Sequence, residues 1–99
     1  MFFLGSTKTS NNITFASIAD RKFLVCSLCV YNGDNIEYLL NSVVIPIDII
    51  SHMTAAVSYY ESSNAYCRGT VKNMTNTSAT LTVNTNVGYS NLHVALWAY

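Results

Sequence analysis

The stretch that decides the fold is residues 23–40, "FLVCSLCVYNGDNIEYLL". Its first half is a long apolar run, and "NGD" at 32–34 follows it. Asn and Gly tolerate the positive φ angles of a tight hairpin turn. The second half, "IEYLL", is typical of a return strand, because apolar positions recur at strand spacing rather than at helical spacing. The stretch therefore predicts an antiparallel β-hairpin.

Turn clusters recur about every ten residues on both sides of this hairpin, which is the spacing of a β-sandwich or barrel. Val, Ile, Thr and Tyr, which favour strands, are abundant along the whole chain. We predict eight strands: a short one near Ile13, then 23–31, 36–40, 43–50, 54–61, 65–74, 79–85 and a last one within 90–99. The prediction is a single all-β domain over residues 1–99, folded as an antiparallel two-sheet β-sandwich that is jelly-roll-like.

Pro46 lies inside one of these predicted strands. Because proline cannot donate to a ladder, we expect its strand at a sheet edge or with a bulge. A helical turn after Pro46 is disfavoured by the proline and by the β-branched residues around it. No helix is therefore predicted anywhere in the chain.

The predicted strands differ in how many apolar faces they carry. In 79–85, Ala, Leu and Val alternate with Thr and Asn, so one face is suited to water. Both faces are apolar in 23–31 and in the final "SNLHVALWAY", residues 90–99. A two-sheet sandwich has one inner layer, so a loop, a ligand or another subunit has to cover the second apolar face.

For the last strand we expect Leu92, Val94 and Leu96 to face the interior of the sandwich. Its other side, together with the outward side of 23–31, is expected to contact a second copy of the chain rather than a sugar. These predicted interface residues are Phe23, Tyr31, His93, Trp97 and Tyr99.

The chain carries few charges. Five Lys plus Arg balance five Asp plus Glu, and only 10% of the residues are charged, against about a quarter in typical domains. This excludes the basic footprint of a nucleic-acid-binding protein, and no run approaches the roughly 20 apolar residues of a membrane helix. Sparse charge and zero net charge also work against solubility as a monomer. The composition therefore favours a homo-oligomer that binds no nucleic acid and inserts into no membrane.

Cys26 and Cys29 have the C-x-x-C spacing of redox and zinc sites, and Cys67 is the third cysteine. On a strand, residues three apart point to opposite faces, so the two sulfurs are expected to diverge as ordinary buried thiols. A disulfide of Cys67 with one of the pair, or a redox role, is the alternative. An odd number of cysteines is simplest to reconcile with folding in a reducing compartment such as the bacterial cytoplasm.

The ionisable residues form no catalytic pattern. His52, in a predicted turn and facing solvent, and His93 lie on different elements, so a four-ligand zinc site is not expected. Asp48 is expected to pair with Arg68 or Lys72 on a neighbouring strand, with calcium binding as the alternative. The carboxylates do not form the facing pair of a glycosidase, and no nucleophile motif occurs. We therefore predict a protein that is not an enzyme and has no cofactor and no metal.

Tyrosine is frequent, with seven residues, and there is one Trp. Such side chains stack on sugar rings and anchor protein interfaces. Tyr59, Tyr60, Tyr66 and Tyr89 are therefore the candidate ligand-binding residues. The alternative for each is that it completes the core or a subunit interface.

The whole pattern resembles the C-terminal β-sandwich domain at the tips of phage and prophage tail, baseplate or head fibres. The resemblance rests on "LGSTKTSNNITF" before a strand, "KFLVCSLCVYNGD" as strand and turn, "SVVIPIDII", the alternating "SATLTVNT", and the terminal "SNLHVALWAY". It covers most of the chain through degenerate motifs.

The resemblance implies a homotrimer in the virion, made in the bacterial cytoplasm, that attaches to a host-surface glycan or protein. It also implies that the chain is the C-terminal part of a longer fibre protein. Two other functions compete with this expectation. One is a monomeric carbohydrate-binding module that uses the Tyr residues as a platform, and the other is a small glycan hydrolase that depends on Asp48.

Overall fold

The computed structural model describes all residues, Met1–Tyr99, as eight strands and one short helix. The elements in chain order are β1 Phe2–Thr7, β2 Asn11–Thr14, β3 Phe23–Asn32, β4 Asn35–Pro46, α1 Ile47–Ile50, β5 Ala55–Ser62, β6 Ala65–Lys72, β7 Ser78–Thr85 and β8 Leu92–Ala98. The all-β class is therefore confirmed.

The strands form two antiparallel four-stranded sheets that pack face to face. The first sheet has the order β1-β8-β3-β4 and the second has the order β2-β7-β6-β5. The nested pairs β1–β8 and β2–β7 are those of a jelly roll. In a complete jelly roll β3 would next pair with β6 and β4 with β5, whereas here β3–β4 and β5–β6 are hairpins that stay within one sheet. The predicted two-sheet sandwich is confirmed, and its winding is jelly-roll-like only in its outer pairs.

The core lies between the sheets and takes one alternate set of side chains from each strand. Leu92, Val94 and Leu96 of β8 are in this core, as predicted, and each is at most 4% exposed. Val71 and Leu81 belong to the same cluster from the second sheet and are fully buried. Burial of such aliphatic side chains is worth about 1.5–3 kcal/mol each, so this inner layer fixes which residues of every strand point outward.

The β3–β4 hairpin that the sequence predicts is confirmed. Gly33 has φ +62° in its turn, a conformation that glycine adopts without steric cost. The return strand is much longer than predicted, because 36–40 and the first part of 43–50 form one strand, β4, with two irregularities in its pairing to β3. This strand is at the edge of its sheet and ends at Pro46, as expected for a residue without an N–H group.

Three predictions about the elements are wrong, the first being the break at 41–42, which lies inside the single strand β4. Residues 47–50 are not a strand but the helical turn α1, which Pro46 precedes rather than interrupts, a position where proline is tolerated. Residues 2–7, for which no strand was predicted, form the edge strand β1 beside β8. Its pairing shifts between Phe3 and Gly5, and this bulge breaks the alternation by which a strand is recognised. The four-residue α1 is too short to cross a lipid bilayer.

Candidate functional site

The outward side of the first sheet carries a largely apolar surface. One rung runs across all four strands through Phe3, Trp97, Val25 and Val44, which are neighbours in the register. We call this surface the apolar face; its large outward residues are Phe3, Phe23, Val25, Tyr31, Ile36, Leu39, Val44, His93, Trp97 and Tyr99. All five predicted interface residues therefore lie on one side of one sheet.

Aromatic rings on the apolar face contact one another in pairs across neighbouring strands. The ring centroids of Phe3 and Trp97 are 5.5 Å apart, and those of Phe23 and Tyr99 are 5.9 Å apart. Tyr31 and His93 are closer, at 4.3 Å, and Nδ1 of His93 lies 2.8 Å from the carbonyl oxygen of Asn91. Such pairs add about 0.5–1.5 kcal/mol beyond burial, so the aromatic side chains form fixed ridges on this face.

A row of small residues crosses the apolar face between these ridges. Ser6, Ala95, Ser27 and Ser42 are successive neighbours in the register of the four strands. Ala95 is fully buried and Ser27 is 3% exposed although both point away from the core. The large side chains on either side must therefore cover them, and the face has the relief of two ridges with a groove between them.

The apolar face is large for a surface in contact with water. Six of its side chains expose between 39% and 61% of their surface: Phe3, Phe23, Ile36, Leu39, Val44 and Tyr99. At about 100 Å² for each half-exposed side chain of this size, they present on the order of 600 Å² of apolar surface. The largest patch on a typical monomer is about 300–600 Å², and each partner in a standard protein interface buries about 800 Å². The exposed apolar area is thus at the upper end of the range for a monomer and would make up about three quarters of one side of a standard interface.

The outward side of the second sheet has the opposite chemistry. Its rungs consist mostly of Thr, Ser, Asn and Tyr, with two cations and one alanine, and we call it the polar face; its residues are Asn12, Thr14, Ala56, Ser58, Tyr60, Tyr66, Arg68, Thr70, Lys72, Ser78, Thr80, Thr82 and Asn84. Hydrogen bonds cross it from strand to strand. The Thr80 hydroxyl donates to Oδ1 of Asn12 at 2.7 Å, and the hydroxyls of Thr70 and Thr82 bond to each other.

The structure separates the four candidate ligand-binding tyrosines into two pairs. Tyr60 and Tyr66 are opposite each other on the polar face, with ring centroids 6.4 Å apart. Tyr59 and Tyr89 are instead partly buried and pack against the core. The Tyr89 hydroxyl donates to Oε1 of Glu61, and this bond raises the pKa of Tyr89 to about 12, with burial as a smaller cause. Only the first pair is arranged to contact a ligand on the polar face.

Arg68 is the functional candidate that sequence reasoning missed. It lies one rung from Tyr66 on the same side of β6, is exposed, and its Nε donates to Oγ of Ser58 at 3.3 Å. The predicted ion pair of Asp48 with Arg68 or Lys72 is wrong, because the strand ends at Pro46 and Asp48 is exposed on α1. The i, i+2 spacing of Tyr66 and Arg68 was the available signal, since such residues share a face of a strand.

The three cysteines are free and buried, and the predicted divergence of the C-x-x-C pair is confirmed. Cys26 points into the core, and burial, with a smaller contribution from the charge of Cys29, raises the pKa of its thiol to about 12. Burial also raises the pKa of Cys29 to about 11, and its Sγ lies 3.9 Å from the carbonyl oxygen of His93. Thiols with such pKa values are protonated at neutral pH and are poor nucleophiles and metal ligands.

His52 lies exposed in the turn after α1, as predicted. No three His, Cys, Asp or Glu side chains are grouped so as to hold a metal ion.

Comparison of the chain with protein-family models, with curated proteins and with solved structures gives no match.

Proposed function

We propose that this chain is a non-enzymatic attachment module that assembles with copies of itself through the apolar face and contacts its target through the polar face. The observation that carries the proposal is the opposite chemistry of the two outward sheet surfaces. One exposes six large apolar side chains at 39–61%, whereas the other carries mainly hydroxyl, amide and cationic groups beside one pair of tyrosines. A single copy would leave the first surface in water, and a symmetric assembly would bury it.

The biological setting in this proposal comes from the resemblance to fibre tips. A virion fibre needs several chains joined at one end and a surface that reaches the host, and the two faces suit these two tasks. The number of chains, three, and the location in a phage tail or head fibre follow from the resemblance alone. The apolar face supports self-association without specifying its symmetry.

Light scattering after size exclusion at micromolar concentration tests the assembly. We expect three times the protomer mass for the wild type. Val44→Lys places a charge at a position that is 54% exposed on the apolar face, and charged groups are depleted from interface cores. It should raise the dissociation constant at least tenfold while leaving the circular dichroism spectrum of the protomer unchanged.

Ala56→Lys is the matched control, because Ala56 is also exposed on the outward side of an edge strand but belongs to the second sheet. We expect it to leave the mass unchanged. Trp97→Ala, on the apolar face beside Phe3, should weaken assembly more than it weakens the fold of the protomer. A wild-type monomer, or equal effects of Val44→Lys and Ala56→Lys, would refute assembly through this face.

A monomeric carbohydrate-binding module is the second candidate function. The pairing of Tyr60 with Tyr66 beside Arg68 favours it, because that arrangement is complete within one protomer. A wild-type monomer that binds a glycan would support this function against the first.

A further inference from the structure

We propose that the polar face binds an acidic glycan. Tyr60 and Tyr66 contact one of its sugar rings, and Arg68 binds a carboxylate of the same glycan. This inference rests on the proposed attachment function and names the site and the class of ligand. The site consists of Ser58, Tyr60, Tyr66, Arg68 and Asn84 on two adjacent rungs of β5, β6 and β7.

The aromatic part of the site is the Tyr60–Tyr66 pair. Tyr60 is 58% exposed and Tyr66 is half-buried, and their rings are inclined at 44° to each other. Two inclined rings form a shallow cradle whose apolar faces fit the C–H side of a pyranose, while the tyrosine hydroxyls stay available to the sugar hydroxyls. The backbone of Tyr66 is held in place, because its N–H donates to Oδ1 of Asn86 at 2.8 Å.

The charged part of the site is Arg68. Its Nε is fixed by Ser58 Oγ at 3.3 Å, and no carboxylate lies within ion-pair distance, the one ion pair of the protein being Arg21 with Asp20. The terminal N–H groups of the guanidinium can therefore bind a carboxylate in the bidentate geometry that arginine favours. Residues two apart on a strand are about 6–7 Å apart, so one short saccharide can span Tyr66 and Arg68.

The charge of the face favours an acidic ligand over a neutral one. Arg68 and Lys72 point outward from β6. The one acidic residue in the strands of this sheet is Glu61, which is exposed at the irregularity of β5 and accepts a hydrogen bond from the Tyr89 hydroxyl. A chain of zero net charge thus presents a locally positive surface, which attracts anions at short range. Two cations are too few for the phosphate contacts of a nucleic-acid-binding surface.

The flanking groups extend the site with neutral hydrogen-bond donors and acceptors. Asn84 is exposed next to Arg68, and Thr70 and Thr82 form the adjacent rung. Amide and hydroxyl groups at strand spacing can bond to successive sugar hydroxyls directly or through water. A linear acidic polysaccharide laid along β6 would therefore contact several rungs at once.

Biolayer interferometry with immobilised alginate and polysialic acid, both carboxylate-bearing polysaccharides, tests the site. Dextran is the neutral control, and poly-glutamate is the control for charge without sugar. We expect the protein to bind at least one acidic polysaccharide, to bind neither control, and to lose affinity as salt is raised. Arg68→Gln should lower the affinity at least tenfold, and Tyr60→Ala about tenfold.

Two control variants show whether a loss of affinity is specific to the site: one removes another exposed tyrosine, as a match to Tyr60→Ala, and one removes another cation, as a match to Arg68→Gln. Tyr38→Ala removes a tyrosine that is also 58% exposed but lies on β4 of the first sheet. Lys8→Gln removes an exposed cation that follows β1 of the first sheet and lies off the polar face. Both should change the affinity less than threefold, and melting temperatures of all four variants should match the wild type.

Absence of binding to both acidic polysaccharides, equal binding to poly-glutamate, or equal losses for Lys8→Gln and Arg68→Gln would overturn the site. The mass of each sample is measured in parallel. An assembled protein that binds neither polysaccharide overturns the site alone, whereas a monomer that binds with the expected variant pattern supports the site and overturns the assembly.

Discussion

Gly69 packs directly against side chains of the opposite sheet, and Gly69→Ala should destabilise the protein. A Cβ atom at residue 69 would lie 2.7 Å from Cγ2 of Val94 and 3.2 Å from Cδ2 of Leu28. Both neighbours belong to the opposite sheet and are fully buried, so relief requires the sheets to separate locally. Overpacking of this kind costs about 1–3 kcal/mol, and the lower backbone entropy of the unfolded alanine chain offsets about 0.4–1 kcal/mol. The net loss in the free energy of unfolding should be about 1–2 kcal/mol.

Urea denaturation at a fixed protomer concentration measures this loss, because assembly makes stability depend on concentration. With a slope on the order of 1 kcal/mol per molar urea, the midpoint should fall by about 1–2 M at unchanged slope. Val94→Ala removes the clashing methyl groups, so the double variant should be at least about 1 kcal/mol more stable than the two single losses predict. Gly88→Ala, with no atom within 4 Å of the added Cβ, is the control. Additive losses, or a Gly69→Ala midpoint equal to that of Gly88→Ala, would refute the close approach of the sheets.

Two further predictions concern stability. The folded-state pKa of Cys26, about 12, lies above the ordinary value of 9.0, so its contribution to stability is complete below pH 9 and is lost as pH rises toward 12. Each pH unit in that window costs about 1.4 kcal/mol of unfolding free energy. Cys26→Ala should therefore make the urea midpoint fall less between pH 9 and pH 11 than it does in the wild type. An equal fall in both proteins would contradict an origin in the ionisation of Cys26. Gly33→Ala places a side chain at φ +62° and should cost about 1–2 kcal/mol, whereas Gly33→Asn should cost less, because Asn tolerates this conformation; equal thermal shifts for the two would contradict a turn-specific cause.

Much of the fold could be predicted from the sequence, because each strand's alternation is a local property. The inward set Leu92, Val94 and Leu96 follows from that alternation, and the hairpin follows from the turn residues at 32–34, which are equally local. The break predicted between the strands 36–40 and 43–50 is absent, because Asn41 lies beside a bulge of β4 rather than at a chain reversal. Its Nδ2 donates to the carbonyl oxygen of Ser58 on the facing edge strand, a contact with no local signature.

The site was less predictable, because alternation tells which residues share a face of a strand but not which residues face each other across strands. Tyr59 and Tyr60 are consecutive, so they had to point to opposite sides of β5. That Tyr60 lies opposite Tyr66 depends on the pairing of Ser62 with Ala65 and on the irregularity before it. Neither the Ser62–Ala65 pairing nor the irregularity is indicated by a residue pattern as clear as the Asn-Gly of the β3–β4 turn. The Tyr pair is therefore visible only in the folded sheet.

The separation of the two outward faces gives the proposals one common consequence. The faces belong to different sheets, which pack about 10 Å apart, so any assembly that closes over the apolar face leaves the polar face of every copy directed outward. Each copy then presents its own Arg68 and tyrosine pair. Several sites linked on one assembly bind a repetitive polysaccharide with an effective affinity well above that of a single site, by factors of about 10²–10⁴ where the spacing allows simultaneous contact. A shallow, weak site on each protomer is thus sufficient for firm attachment, and Val44→Lys should lower the apparent affinity for an immobilised acidic glycan without touching the polar face.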